Sequence, residues 1–183
     1  MILHRCFAWN PRARAASEDG PLWFPRAYQG EGRHDNPEVY GCLYLSGEIR
    51  SGVTEQLARF RGQRLVPAML LRRGLRLALA AIDLPDGAGV IDLDEPAILQ
   101  VNRLRPSLVA TRAREVTQPQ ALELYRRHAG AAALGWWSTF ESRWPNYTVF
   151  DRSAGALRLV EVCRLELDDP ALVEATELLG ISA

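Results

Sequence analysis

The sequence of 183 residues contains no lysine, no long apolar run and no surplus of charge of either sign. A membrane-spanning helix needs about 18 or more consecutive apolar residues, so none is expected. The first ten residues are mixed and interrupted by polar side chains, unlike a secretory signal. Because 22 basic residues balance 22 acidic ones, the composition argues against a dedicated nucleic-acid-binding protein. We therefore expect a cytoplasmic protein without membrane or direct nucleic-acid contacts.

Clusters of metal ligands are also lacking. The cysteines and histidines are scattered along the chain and form no C-x-x-C pair: Cys6, Cys42, Cys163, His4, His34 and His128. Zinc sites need closely spaced ligands, so we predict no metal site and free thiols. Every basic residue is an arginine, so a bound phosphate would have to be held by guanidinium groups, backbone amides or hydroxyls.

Strand and helix patterns are both present, and they predict one α+β domain over residues 1–183. Frequent glycine and proline predict an irregular segment over 1–39, followed by a core over 40–167 and a C-terminal helix over 169–180 that Gly180 ends. Alternating or continuous apolar runs predict strands over 40–46, 65–71, 75–84, 134–138, 147–150 and 157–167. Further helices are predicted over 51–60, capped by Ser51, and over 117–128, capped by Thr117 with Pro119 in the first turn. The absence of regular βαβ units favours a mixed arrangement of strands with flanking helices.

Common nucleotide and hydrolase fingerprints such as G-x-G-x-x-G, the Walker loop and G-x-S-x-G do not occur. The first of three remaining polar spots is the stretch 29–37, which reads QGEGRHDNP and contains Arg33. The glycines would let a ligand approach the backbone, and Arg33 could bind a phosphate with two parallel hydrogen bonds. The alternative is a surface turn in which Arg33 pairs with Glu31 or Asp35.

The second spot combines Tyr44, in a predicted strand, with Glu55, near the predicted start of the next helix. A carboxylate near a helix N-terminus stays ionised, and in that form it would stabilise a developing cation. The simpler alternatives are a core tyrosine and an exposed ion pair between Glu55 and Arg59, four positions later.

The third spot is Trp136-Trp137-Ser138 at the end of a predicted strand. Two indole rings could form a wall for a planar ligand, although such tryptophans are more often simply part of a core, because indole rings bury large areas. Ser138 lies in no G-x-S-x-G elbow and has no local histidine base, so a substrate-orienting hydroxyl is a better interpretation than a nucleophile.

Taken in order, these spots resemble the RES domain family, which is named for a dispersed arginine, glutamate and serine. The first segment that carries the resemblance, residues 32–62, reads GRHDNPEVYGCLYLSGEIRSGVTEQLARFRG. Arg33, Tyr44 and Glu55 follow one another at intervals of eleven positions in it. The second segment, residues 109–138, reads VATRAREVTQPQALELYRRHAGAAALGWWS and ends on the serine. His34 stands where many members of the family have an aromatic residue, and Arg26 is a second candidate for the arginine.

The resemblance implies an ADP-ribosyltransferase-like fold and consumption of NAD⁺. It also implies a toxin that is neutralised by a helix-turn-helix antitoxin of the Xre type. The bond cleaved would join nicotinamide to ribose, and the acceptor would be phosphate, water or a protein side chain. NAD⁺ would be the substrate, inorganic phosphate a co-substrate, and no further cofactor is implied. The rival hypotheses are ADP-ribose transfer to a protein target and a catalytically silent binding module.

Under this resemblance each residue takes a role. Arg33 would hold the pyrophosphate or an incoming phosphate, and Glu55 would stabilise the oxocarbenium-like ribose. Ser138 would orient a hydroxyl or the carboxamide. Tyr44 and Trp137 would flank the nicotinamide or ribose, with His34 as a helper.

Overall fold

The computed structural model describes residues 1–109 and 111–182. Positions 110 and 183 lie outside the described residues. Both fall within the predicted domain, and position 110 also falls within the second segment that resembles the RES family. The described strands are β1 (Ile2–Ala8), β2 (Cys42–Ser46), β3 (Leu71–Arg72), β4 (Leu75–Asp83), β5 (Gly89–Asp92), β6 (Ala131–Trp137), β7 (Pro145–Phe150) and β8 (Arg158–Arg164). The described α-helices are α1 (Ile49–Leu57), α2 (Pro96–Val101), α3 (Pro106–Val109), α4 (Arg114–Arg127) and α5 (Pro170–Leu179).

Helices and strands alternate irregularly, and the strand pairs include parallel and antiparallel ones. The prediction of an α+β fold with mixed strands and flanking helices is therefore confirmed. Within the described residues, no helix is both long enough and apolar enough to cross a membrane. The chain forms two compact units: unit 1 comprises 1–23, 45–83 and 158–182, and unit 2 comprises 24–44, 84–109 and 111–157.

Unit 1 is built around β4, an alternating strand that contributes the fully buried side chains Leu77 and Ile82. β4 pairs antiparallel with β1 along seven residues, from Ile2 opposite Asp83 to Ala8 opposite Leu77. On its other edge it pairs antiparallel with β3 and with β8. α1 packs against β1 and α5, so the buried face of each helix is covered.

The predicted irregular segment 1–39 is wrong over 2–8, where β1 forms the centre of unit 1. The predicted strand over 65–71 is also mostly wrong. Residues Pro67–Leu70 form a 3₁₀ helix, and only Leu71–Arg72 extend as a strand. Pro67 has no N–H to donate to a strand ladder, which favours the helical turn.

Two predicted helix starts are displaced, and one helix is as expected. α1 begins at Ile49, so Ser51 is buried inside the helix and does not cap it. α4 begins at Arg114, so Thr117 lies in the helix and Pro119 beyond its first turn. For α5, Asp169 occupies the N-cap position and Gly180 ends the helix with a φ of 63°, a left-handed conformation that glycine adopts without a steric penalty.

Unit 2 contains β5 parallel to β6 and β6 antiparallel to β7. Its core combines side chains from these strands and from α2 to α4, including Leu99, Leu124, Leu134 and Trp136. Successive side chains of a strand point to opposite faces. Trp136 and Trp137 therefore lie on opposite faces of β6: Trp136 is a buried member of this core, and the partly buried Trp137 packs against it.

β8 is the most exposed strand of unit 1. It pairs with β4, and none of its seven side chains is fully buried. Val160 is 58% exposed, which is high for an apolar residue in a strand. This strand therefore covers β4 while contributing little to the core.

Candidate functional site

The loop that carries Arg33, residues 30–36, is held by a buried carboxylate. Asp35 is 4% exposed. Its Oδ2 accepts hydrogen bonds from the N–H groups of Gly30 and Gly32, both at 2.7 Å. Its Oδ1 accepts from the Tyr44 hydroxyl at 2.7 Å. We call residues 30–36 the arginine loop. Asp35 thus fixes the arginine loop to β2. The surface-turn alternative required a pair with Arg33, and the Asp35 carboxylate is instead engaged by Gly30, Gly32 and Tyr44.

Side chains of helix α4 hold the same loop by donating hydrogen bonds to the loop's backbone carbonyl groups. The Gln118 side-chain amide donates to the carbonyls of Gly30 and Gly32, both at 2.9 Å. The Thr117 hydroxyl donates to the Arg33 carbonyl at 2.6 Å. The prediction that Thr117 caps a helix is therefore wrong, because this hydroxyl binds the arginine loop. Hydrogen bonds to N–H groups and to carbonyl groups of the loop therefore both hold it in this conformation.

The Arg33 guanidinium lies over the Trp136 ring, with its central carbon 4.7 Å from the ring centroid. Its Nη1 donates to the Val109 carbonyl at 2.9 Å and also to the Thr111 carbonyl. These carbonyl acceptors are neutral, so they orient the guanidinium without cancelling its charge. The side chain is half-buried, a setting in which a guanidinium remains reachable for an anion.

His34 follows Arg33 and is 3% exposed. Its Nδ1 lies 2.8 Å from the Thr148 hydroxyl, which also accepts a hydrogen bond from the Trp136 indole at 3.1 Å. Within the described residues, the Thr148 hydroxyl can donate its proton to His34 Nδ1. An Nδ1 that accepts this bond carries no proton, so we assign the imidazole proton to Nε2. Burial, and then the Arg33 charge, lower the pKa of His34 to about 3. The imidazole is therefore neutral near pH 7.

The Tyr44 hydroxyl is fully used by its neighbours. It donates to Asp35 and accepts the His34 backbone N–H at 2.9 Å. Burial first, and then nearby Cys42 and Asp35, raise the pKa of Tyr44 well above its ordinary value. The phenol therefore stays protonated, and it links Asp35 to the backbone of the arginine loop.

Ser138 directly follows β6 and is 2% exposed. Its hydroxyl oxygen accepts the Phe140 N–H at 3.1 Å, and its own N–H donates to the Trp144 carbonyl at 2.9 Å. The Arg112 guanidinium stacks on the Phe140 ring at 5.1 Å, so a positive charge lies near this turn. The structure thus places Ser138 in an ordered turn at the end of a strand.

Trp137 lies on the opposite face of β6 from Trp136. It lines a surface pocket of about 220 Å³ together with Tyr147, Asp92 and Asp94. The structure therefore brings Trp136, and not Trp137, to Arg33 and His34. Strand alternation from the apolar Leu134 could have predicted which of the two indoles faces the core.

Glu55 belongs to unit 1, where it is exposed on the last turn of α1. The argument that a helix N-terminus keeps it ionised is wrong, because α1 begins at Ile49 and Glu55 is its seventh residue. Arg26, the second arginine candidate, donates to the Pro37 carbonyl and lies 3.7 Å from Asp151. It therefore has partners other than those of Arg33.

Several residues that contact the arginine loop or its histidine were given no site role from the sequence, among them Asp35 in its present role, Tyr40, Gln118 and Thr148. Trp136 was considered there only as part of a wall for a planar ligand, and the structure places it against Arg33. Across the described ranges, no group of three or more His, Cys, Asp and Glu side chains is arranged to hold a metal ion. The arrangement in unit 2 can hold an anion through Arg33, next to an uncharged imidazole and an uncharged phenol.

Most of the chain matches one known protein family. The RES domain model matches residues 2–170, and the chain belongs to this family. No curated protein matches the sequence. Among solved structures, the chain is similar to one titled crystal structure of the M. tuberculosis MbcT–MbcA toxin–antitoxin complex, with a TM-score of 0.67 and 17% identity over 98% of this chain and 88% of that chain.

Proposed function

We propose that this protein degrades NAD⁺ by cleaving the bond between nicotinamide and ribose, and that it is the toxin of a toxin–antitoxin pair. Membership of the RES domain family supports this proposal. The observation that carries it is the Arg33 guanidinium, held over Trp136 by carbonyl groups beside neutral His34. A dinucleotide has two phosphates that such a group binds.

Arg33 is proposed to bind the pyrophosphate, or an incoming phosphate. Guanidinium groups bind phosphate oxygens through parallel hydrogen bonds, and the Val109 and Thr111 carbonyls that orient Arg33 carry no negative charge of their own. The Tyr44 ring would border the nicotinamide or ribose. Trp137, assigned to that role by the sequence, lines a surface pocket that Trp136 also borders, and its role stays a prediction.

Glu55 is proposed as the carboxylate that stabilises the oxocarbenium-like ribose. Its place in the family-like segment supports this assignment. Nicotinamide leaves as a neutral ring, so the reaction needs electrostatic stabilisation of the sugar more than a general acid. His34 would be a poor acid here, because its low pKa keeps it unprotonated near pH 7. Ser138 would orient a substrate hydroxyl or the carboxamide.

The proposed partners follow from the same hypothesis. NAD⁺ is the substrate, inorganic phosphate is a co-substrate, and no separate cofactor or metal takes part. An Xre-type helix-turn-helix protein would be the antitoxin, in line with a similar structure titled as a toxin–antitoxin complex. The activity would take place in the cytoplasm, away from membranes.

The test follows NAD⁺ with purified protein, with and without phosphate, and identifies the products by NMR. Phosphorolysis predicts nicotinamide and ADP-ribose 1″-phosphate, whereas hydrolysis predicts nicotinamide and ADP-ribose. Label on a protein would favour ADP-ribosyl transfer, and binding without turnover would favour a silent module. Glu55→Gln is expected to abolish turnover, whereas Glu177→Gln, at an exposed position on α5, should retain it. The proposal fails if wild-type protein leaves NAD⁺ intact in both buffers and its expression does not slow growth.

A further inference from the structure

We propose that Asp35 is a positioning residue that sets the Arg33 guanidinium for substrate, through the arginine loop. This inference rests on the proposed function of Arg33 in binding the NAD⁺ phosphates. Asp35 is 4% exposed, and its carboxylate oxygens are engaged by Gly30, Gly32 and Tyr44. Its effect on the reaction would pass through the backbone on either side of Arg33.

Asp35 is buried, and its side-chain hydrogen bonds go to the arginine loop and to β2. Three short hydrogen bonds, each of 2.7 Å, come from Gly30, Gly32 and Tyr44. A fourth, weaker contact comes from the Cys42 thiol at 3.4 Å. Burying an ionised carboxylate is costly unless donors surround it, and hydrogen bonds to a charged group are the stronger kind. The loop conformation and the carboxylate therefore stabilise each other.

Gly32 leaves no room for a side chain beside Asp35 and Tyr44. A Cβ atom at Gly32 would lie 2.5 Å from the Tyr44 hydroxyl and 2.6 Å from Asp35 Oδ1. Both distances are far below ordinary contact, so Gly32 has to be a glycine for Asp35 and Tyr44 to meet. Arg33 is the next residue, which means that its backbone begins at the point where this contact is tightest.

Arg33 is held at both ends, at its backbone and at its guanidinium. Its backbone carbonyl is fixed by Thr117, and its guanidinium by the Val109 and Thr111 carbonyls. With the loop held by Asp35, the guanidinium reaches Trp136. Catalytic groups need to be held within a fraction of an ångström by supporting contacts, and displacement by about 1 Å costs a large factor in rate.

The variant that tests this is Asp35→Asn, which keeps the shape but has one oxygen acceptor in place of two. Either the glycine N–H groups or the Tyr44 O–H then loses its acceptor. Asp151→Asn is the matched control, because Asp151 Oδ2 also accepts a glycine N–H in unit 2, from Gly41 at 2.6 Å. Arg33→Met supplies the second arm of a double-mutant cycle.

The first measurement does not depend on turnover. In Asp35→Asn, hydrogen exchange by NMR at the Gly30 and Gly32 amides and at Arg33 Nη1–H is expected to accelerate at least about tenfold relative to wild type, with no such change in Asp151→Asn. Unchanged exchange at Arg33 Nη1–H would overturn the proposal, whether or not NAD⁺ is consumed. A wild-type protein that does not consume NAD⁺ would defeat the proposed function alone.

The second measurement separates positioning from general stability. Asp35→Asn is expected to raise the KM for NAD⁺ about tenfold while kcat changes less. In the Arg33→Met background the same substitution should change KM by less than about twofold, because the residue through which it acts is gone. An equal effect of Asp35→Asn in both backgrounds would mean that Asp35 is merely structural and would refute the inference.

Discussion

Each unit of the molecule contains an arginine that donates to two backbone carbonyls and lies on an aromatic ring. In unit 1, Arg5 donates to the carbonyls of Gly20 and Pro21, at 3.2 and 2.6 Å, and lies 4.6 Å from the centroid of Phe7. In unit 2, Arg33 does the same with Val109, Thr111 and Trp136. Carbonyl acceptors and a ring therefore do not by themselves indicate a binding site.

The two arginines differ in their access to water. Arg5 is 8% exposed, and burial, followed by the charge of Arg73, lowers its pKa to about 9. Arg33 is half-buried and stands beside the buried polar residues His34 and Asp35. A closed guanidinium with satisfied partners contributes to folding. An accessible one, held in place by a polar network, is suited to binding.

Buried polar residues show the same contrast between the units. Unit 2 holds His34, Asp35, Asn102, Thr117, Ser138, Asn146 and Thr148, and unit 1 holds Arg5, Ser46, Ser51 and Thr54. Burying polar groups is costly unless they are hydrogen-bonded. In unit 2, His34, Asp35, Thr117 and Thr148 are hydrogen-bonded in or around the arginine loop, so a large part of this buried polar set holds that loop.

The largest effect is expected from Arg33→Met, which keeps the packing on Trp136 and removes the charge. The value of kcat/KM for NAD⁺ should fall about 100-fold to 1000-fold, because the phosphates lose their guanidinium. Unfolding by urea should show a smaller loss of stability than the corresponding change at Arg5, since Arg33 and its partner Thr111 are half-buried, although Val109 is 3% exposed. An unchanged kcat/KM combined with a large loss of stability would mean that Arg33, like Arg5, contributes to folding and not to substrate binding.

The complementary substitution, Arg5→Met, should act on stability instead. It leaves the Gly20 and Pro21 carbonyls without their donor in a buried place, at a cost of about 2–3 kcal/mol in the free energy of unfolding. Urea unfolding measures this loss. The kcat/KM of the folded fraction should stay within about twofold of wild type, and a fall comparable to that of Arg33→Met would remove the distinction between the two arginines.

Gly32→Ala tests the arginine loop directly. The added methyl meets the Tyr44 hydroxyl and Asp35, so about 1–3 kcal/mol of stability is expected to be lost through overpacking. NAD⁺ turnover should fall as the loop shifts. Gly155→Ala is the control, because a Cβ there meets no atom within 4 Å. If thermal unfolding and turnover were the same for both variants, the loop would be more adaptable than its hydrogen bonds indicate.

The smallest effect is the pH dependence that His34 adds to stability. Its pKa is about 3 in the folded protein, and an unfolded histidine has a pKa of about 6.5. Between these values the unfolded state binds one more proton. The contribution is fully present above pH 6.5 and is lost as pH falls towards 3, at up to about 1.4 kcal/mol per pH unit.

Urea unfolding at pH 7, 6 and 5 measures this slope. His34→Gln should flatten it. His4→Gln in unit 1 should flatten it less, because His4 is only half-buried, although burial lowers its pKa in the same direction. An unchanged or steeper slope in His34→Gln would contradict the neutral imidazole.

Local signals explain which parts of the fold could be predicted. Helix α5 has both of its signals in sequence, Asp169-Pro170 at the start and Gly180 at the end, and the structure agrees. Strand β1 could not be recognised, because Arg5 interrupts its apolar pattern. That arginine becomes a core residue only through carbonyls some fifteen positions away.

The candidate site shows the same limit. Arg33, Tyr44 and His34 could be singled out from their spacing and family resemblance, and the structure connects them through the Tyr44 hydroxyl and the His34 backbone. The role of Asp35 could not be found, because a carboxylate beside an arginine in sequence suggests an ion pair. Its glycine and tyrosine partners become visible only when the loop is folded.

The exposed strand β8 has a consequence for how the protein behaves at high concentration. Within the described residues its outer edge pairs with no other strand, and such an edge is a template for aggregation. Arg158, Glu161 and Arg164 recur every third residue along it. In a parallel, in-register stack each charge would meet its own copy, and like charges side by side repel. We therefore expect these three charged residues to oppose the growth of fibrils from this edge.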